Sequence, residues 1–452
     1  MHDTHGRNYR WYGAVGTALA LLAMLQLPNT AGTPTGESIL NRKIDPFYRL
    51  EQQGKPQNPN VKTYNYDAWV AKYQVGPNGV RKVLWKKQIS TPTENSSWSV
   101  ATDSSGNVFI TGYQVSDPGG FNAWVAKYSP SGTLKWIKQL SGSGSDASSG
   151  VATDSNGNVF ITGITEGSLG GTNMGLSDAW VAKFSPQGTL VWIKQLGTSW
   201  GDSSSGVATD SSGNVFITGF TGGALGGTNR GSGDAWVAKF SPQGTLMWKR
   251  QLGTLDREES NGVATDRNGN VFITGQTNGA LGSIVKRGPD AWVAKYSSDG
   301  TLKWIQQLGT SRSESSRGVA TDRNGNVFIT GDTDDALEGT LKGEIDAWVA
   351  KFSPGGTLKW IKQLGTSKID YSYGVATDSN GNVFVTGFTY GSLGRTNLGG
   401  ADMWAAKFNP QGKQLWLRQD GTTKDDPAWG IAVDSNGYVM TTGFTYGNFS
   451  GD

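Results

Sequence analysis

Short runs of Val, Ile, Phe, Thr and Trp alternate with small or polar residues along most of the chain, and the same four runs return in the same order. In one copy they are GVATD (Gly206–Asp210), NVFITG (Asn214–Gly219), AWVAKFS (Ala235–Ser241) and TLMWKRQL (Thr245–Leu252). Residues of this kind suit a pleated, half-buried surface, and each run has the length of a strand. Between the runs, Asp210-Ser-Ser-Gly-Asn and Ser241-Pro-Gln-Gly read as tight turns, in which Gly supplies positive φ, Pro presets φ and Asp or Asn bonds its own backbone. The pattern predicts four consecutive antiparallel strands per unit and no long helix.

Three landmarks keep one beat. Trp69, Trp124, Trp180, Trp236, Trp292, Trp348 and Trp404 mark the third strand at intervals of 55 residues once and then 56 five times. Trp85, Trp136, Trp192, Trp248, Trp304, Trp360 and Trp416 mark the fourth strand, and Asp103, Asp154, Asp210, Asp266, Asp322, Asp378 and Asp434 mark the turn after the first. A period near 50 residues signals stacked supersecondary units. Four-stranded antiparallel sheets repeated radially make a propeller. The predicted fold is therefore all-β, a seven-bladed β-propeller with four antiparallel strands per blade. Its phase is offset: the chain enters with the two outer strands (Ala68–Tyr73, Val83–Ile89) and leaves with the two inner ones (Gly430–Asp434, Tyr438–Gly443). The ring is expected to close through a blade shared by the N-terminal and C-terminal segments. The landmark tryptophans read as core packing between blades.

Repeats of the form GVATDSNGNVFITG, GS-L-G-TN and DAWVAKFSPQGTL-W resemble the bacterial seven-bladed β-propeller repeat family, abbreviated SBBP, over essentially all of Asp67–Asp452. The resemblance implies a secreted or envelope-associated bacterial propeller. It carries over no catalytic residue.

The N-terminus adds an address. Arg7 and Arg10 precede an apolar run from Ala14 to Leu27, so residues 1–31 read as a secretory signal peptide with cleavage after Ala31. Residues 32–66 read as a polar linker, or as a strap packed on the propeller, and residues 67–452 as the propeller itself. The expected location is secreted, periplasmic or cell-surface, in a bacterium, with no membrane insertion after signal removal and with the chain a monomer.

Chemistry is bounded by what the mature segment lacks. There is no Cys, and both histidines, His2 and His5, fall in the signal segment. That removes Ser-His-Asp and Cys-His machinery and the commonest transition-metal ligands. The recurring aspartates, at the turn after the first strand and at Asp178, Asp234, Asp290, Asp346 and Asp402 before the third, read as turn caps rather than metal ligands. The DSNGN stretch lacks the spacing and terminal Glu of an EF-hand. No cofactor, metal or catalytic residue is assigned. With 40 basic and 37 acidic residues the net charge is +3, too balanced for a nucleic-acid surface.

Function is sought where the repeat breaks. The connections entering the first strand and leaving the second vary, and alternation puts both on one face, where binding residues usually sit. Immediately before the first strand the equivalent positions are Trp98, Ser149, Ser205, Asn261, Arg317, Tyr373 and Trp429. Tyr371, and Tyr113, Tyr390 and Tyr446 after the second strand, continue the aromatic bias around the closure seam. Trp98, Tyr113, Arg317, Tyr371, Tyr373, Tyr390, Trp429 and Tyr446 are the candidate ligand-binding residues. Exposed aromatics beside Arg317, Asp332, Asp334 and Asp335 would stack on sugars or hold peptide side chains; the competing account is packing that reinforces the seam. The leading reading is a non-catalytic binding or scaffold propeller for a polysaccharide, peptide or envelope protein. A carboxylate-based glycosidase or lyase and a purely structural surface protein are the alternatives.

Overall fold

A computed structural model describes residues 66–76, 81–116, 120–282 and 288–449. The expected signal segment and all but the last residue of the expected linker lie outside the described residues. The described chain forms seven four-stranded antiparallel sheets. Blades one to six are consecutive: 95–140, 146–196, 202–252, 258–308, 314–364 and 370–420. In the seventh, Arg81–Ile89 and Asp67–Val75 form the outer pair while Val439–Thr445 and Ala428–Val433 form the inner pair. Asp67 to Tyr73 pair in register with Thr445 to Val439, so the ends of the chain share one ladder. Trp69 Nε1 donates to the Phe444 carbonyl at 2.8 Å, Phe449 packs on the Trp69 ring, and Lys72 reaches Asp434 at 3.1 Å.

The two tryptophan sets do different work. Third-strand Trp69, Trp180, Trp236, Trp292, Trp348 and Trp404 are fully buried between sheets. Outer-strand tryptophans reach sideways: Trp136 Nε1 donates to the Pro186 carbonyl at 3.2 Å and Trp192 to that of Pro242 at 3.1 Å, each on the next blade's outer turn. The turn glycine there, such as Gly188 at φ 82°, lies flat against the tryptophan, and an added Cβ would come within 2.9 Å of the ring. Nearer the axis, hydroxyl pairs join neighbouring blades. Thr111 bonds Ser148, Thr162 bonds Ser204, Thr218 bonds Ser260 and Thr274 bonds Ser316, each at 2.7 Å, and Thr330–Ser372 and Ser97–Thr442 do the same. At the junction of blades six and seven the serine is replaced by Ala428, and Thr386 keeps the bond to the Trp404 carbonyl that the equivalent threonines of the other blades also make to their tryptophan carbonyls.

The turn aspartates cap as expected. Asp154 Oδ1 accepts from the Asn156 and Asn158 amides and Oδ2 from the Asn158 side chain. The inner strand is longer than the sequence pattern suggests. It starts at Asp202 in blade three, not at Gly206, and its counterparts shift likewise. The DSSS segment is polar yet extended: Ser204 bonds Thr162 of the preceding blade and Asp202 accepts from Thr198.

Candidate functional site

Lengthening the inner strand moves the variable positions from loop to strand, and there each one is a β-bulge. Register slips between Ser97 and Ser99, Ser148 and Gly150, Ser204 and Gly206, Ser260 and Gly262, Ser316 and Gly318, Ser372 and Gly374, and Ala428 and Gly430. The skipped residues are Trp98, Ser149, Ser205, Asn261, Arg317, Tyr373 and Trp429. A bulge leaves one residue unpaired and re-aims its side chain. Here all seven line a single cavity of about 190 Å³ at the mouth of the central channel, floored by Val100, Val151, Val207, Val263, Val319, Val375 and Ile431.

The mouth has two halves. Across blades six, seven and one, Tyr373, Trp429, Trp98 and Tyr113 join Phe388, Phe444, Phe121 and Tyr66 in one cluster, with Tyr371, Tyr390 and Tyr446 packed against it. Tyr373 meets Trp429 edge to face at 4.4 Å, and Trp98 meets Tyr113 at 5.1 Å. The expectation of exposed aromatics is thereby corrected: Trp98 and Trp429 are 7% exposed and Tyr373 8%. Phe121, Phe388 and Phe444, on second and third strands, cover them. Tyr66, the last residue of the expected linker, is buried too, and its hydroxyl bonds that of Tyr113 at 2.7 Å. Burial holds the Tyr371 and Tyr373 hydroxyls well above the usual phenol range.

The other half is polar. Arg317 bonds Asp332 at 2.5 Å and lies over the rings of Tyr373 and Tyr371, at 4.4 and 5.5 Å. Asp334 and Asp335 stand further out: Asp334 accepts from the Ser313 amide, and half-buried Asp335 accepts from the Ser311 hydroxyl at 3.2 Å. On blade four Glu259 holds Arg257, which covers Phe220. Asn261 donates Nδ2 to the Ser316 carbonyl at 2.9 Å, which fixes its Oδ1 on the opposite side. That Oδ1, Ser149 Oγ and Trp429 Nε1 are buried without a hydrogen-bond partner in the chain, as are Ser96 Oγ, Ser203 Oγ and Glu259 Oε2 two residues before their bulges. These six atoms lie on five neighbouring inner strands, and buried polar atoms in the same state recur away from the mouth, at Trp124, Trp180, Trp292 and Trp348 Nε1 and at Asp178, Asp234 and Asp346 Oδ1.

A second acidic set was not singled out from the sequence. Asp146, Asp202, Glu258, Glu314 and Asp370 open the inner strands, Asp426 lies two residues before the seventh, and all six are almost fully buried, with Asn95 in the equivalent place of blade one. Asp202 accepts from the Thr198 amide at 2.6 Å and hydroxyl at 2.8 Å; Glu314 does the same with Thr310. Burial pushes Asp202 up to about 6 and Glu314 up to about 7, and the neighbouring blade's Asp178 or Asp290 adds to it. The signal was present: an acid recurs four residues before each GVAT, in six of seven copies. Among the described residues no group of three or more metal-ligating side chains is assembled, and no helix is long and apolar enough to cross a membrane.

The β-propeller repeat family SBBP matches the chain at residues 135–170, 191–226, 248–282, 303–337 and 359–394, each span running from one outer strand into the next blade. An uncharacterized WD repeat-containing protein, L264 of Acanthamoeba polyphaga mimivirus, is 21% identical over 90% of this chain and 34% of its own. Regulatory protein FlaEY of Caulobacter vibrioides is 24% identical over 50% of this chain and 26% of its own. The chain thus spans about a third or less of these relatives. Among solved structures, Sqt1 from Chaetomium thermophilum aligns with a TM-score of 0.43 at 11% identity, covering 76% of each chain. An ulvan lyase aligns at 0.42 and 11%, covering 77% of this chain and 90% of that one. Scores at that level carry no argument about function. On repeat and architecture together, this chain belongs to the SBBP-type β-propeller repeat proteins.

Proposed function

We propose that the protein is an exported, non-catalytic binding propeller whose recognition site is the channel mouth on the variable face. The observation that carries this reading is a single cavity at the channel mouth to which all seven blades contribute a bulge side chain, of five kinds: Trp, Ser, Asn, Arg and Tyr. The aromatic half is read as the rigid wall of that site and as the seam's reinforcement at once. Its partners come from the polysaccharide, peptide or envelope-protein classes. Export rests on Arg7, Arg10 and the Ala14–Leu27 run, which support a secreted, periplasmic or surface location in a bacterium; N-terminal sequencing of the mature protein after cell fractionation tests it.

The site is tested with glycan and peptide arrays probed by the wild type and by a Ser149→Val, Asn261→Leu double variant of unchanged melting temperature. Loss of the array signal in the variant is expected. A signal that survives unchanged places recognition away from the mouth.

A further inference from the structure

The channel has a second end. Each inner strand runs from its bulge at the mouth to the aspartate turn on the opposite face, where the turns of blades four to seven line a cavity of about 260 Å³. The residue after the turn aspartate is serine in five blades, at Ser104, Ser155, Ser211, Ser379 and Ser435, but it is Arg267 and Arg323 in blades four and five. Both arginines are exposed, and neither has a hydrogen-bond or salt-bridge partner among the described residues. Two residues before them, Thr321 Oγ1 donates to the Thr265 carbonyl at 2.7 Å, so the two side chains start from adjacent, tied turns and line the same cavity. Like charges so placed repel, and an anion between them replaces that repulsion with attraction.

The acids that share the cavity wall do not cancel this charge. Asp378 pairs with Lys407 at 3.3 Å, Asp434 pairs with Lys72 at 3.1 Å, and Lys351 holds the same place beside Asp322. Asp322 is also occupied by its own turn, accepting from the Asn324 and Asn326 amides. The arginines are thus a surplus of positive charge, and the hydroxyls of Ser379 and Ser435 add donors on the same wall. Each guanidinium presents a planar fork that two oxygens fill. A carboxylate fills one fork, whereas a tetrahedral oxyanion has oxygens for both. The volume lies below the ~300–1,000 Å³ of sites that enclose drug-sized ligands. We infer that this end of the channel binds one phosphate or sulfate group between Arg267 and Arg323, either as the free anion or as an ester carried by a larger molecule.

The full chain is titrated by calorimetry at low ionic strength with inorganic phosphate, sulfate, methyl phosphate, galactose 6-sulfate and acetate. At least one phosphate or sulfate probe is expected to bind, about tenfold or more tighter than acetate. Serine fills this position in five blades, so Arg267→Ser and Arg323→Ser should keep the melting temperature. Each should weaken binding about tenfold or more, the worth of a hydrogen bond to a charged group. Arg323→Lys keeps the charge without the fork and should recover only part of what Arg323→Ser loses. Tighter binding of the esters supports a ligand carried on a larger molecule, and tighter binding of the free anions supports an inorganic one. Acetate bound as tightly as phosphate and sulfate overturns the tetrahedral assignment. Binding that survives in the Arg267→Ser, Arg323→Ser double variant, or no binding of any probe, overturns the site. Neither result bears on the mouth, because Ser149 and Asn261 lie at the other end of the inner strands.

Discussion

Around the mouth, a residue's freedom to vary follows from its place in the ladder. The bulge residue pairs with nothing on the neighbouring strand, so blade to blade it changes from Ser to Trp to Arg while flanking Ser and Gly hold the register. Arg317 and Asp332 show the cost of such a change. Their side chains are 4% and 15% exposed, so removing one partner leaves a buried charge. Asp332→Ala is expected to lower unfolding free energy by about 3–5 kcal/mol in urea titration, whereas Asp334→Ala should leave it near the wild type. Trp429→Ala should also destabilise by about 3–5 kcal/mol, because it opens a hole in the aromatic cluster rather than trimming a surface. An unchanged transition in that variant would mean the ring is not packed as described. The sequence located these positions, since departures from a strict repeat are visible in one chain. Their burial was not legible. It depends on Phe121, Phe388 and Phe444, which reach the same spot from other strands.

The element most affected by this arrangement is the inner strand. Its start was misplaced because Asp-Ser-Ser-Ser-Gly has the composition of a turn, and turn-forming hydroxyls ordinarily bond their own backbone. Here Ser204 bonds across to Thr162 of the preceding blade, and the acid bonds the threonine of the preceding connection. Partners on another blade leave no local trace in the sequence. The second strand accommodates the bulge with a glycine: a Cβ on Gly163 would sit 1.9 Å from the Ala147 carbonyl oxygen. Gly163→Ala should therefore shift the bulge and lower the melting temperature by several degrees. Gly355→Ala is the control: nothing lies within 4 Å of its Cβ, and it should be neutral or slightly stabilising. Equal melting of both variants would contradict the bulge geometry.

At the scale of the molecule, the closed ring makes both the seam and the mouth. Each blade supplies one bulge residue, so the cup exists only when the seventh blade is assembled from both ends of the chain. Truncation after Gly430 removes Val439–Thr445, the strand that pairs with Asp67–Tyr73, and is expected to abolish the cooperative thermal transition. Closure also buries a ring of acids whose protonation is tied to folding. Asp202 and Glu314 are raised to about 6 and 7, and Asp146, Glu258, Asp370 and Asp426 are raised as well. The folded state then holds these protons more tightly than the unfolded chain. The stability they contribute is present below the ordinary carboxylate range and is lost as pH rises through about 6 to 7. Melting temperature should fall between pH 5 and pH 8, and Glu314→Gln should flatten that slope; a melting temperature that rises over the interval would contradict it. Ring closure and phase were readable from the beat of the repeat, while the chemistry gathered at the axis required the seven blades in place. The most direct test is a crystal structure of the full chain. It should show Asp67–Tyr73 paired with Val439–Thr445 in one blade and the seven bulge side chains around one cavity. N-terminal strands docked elsewhere, or bulge positions that share no cavity, would contradict the closed ring.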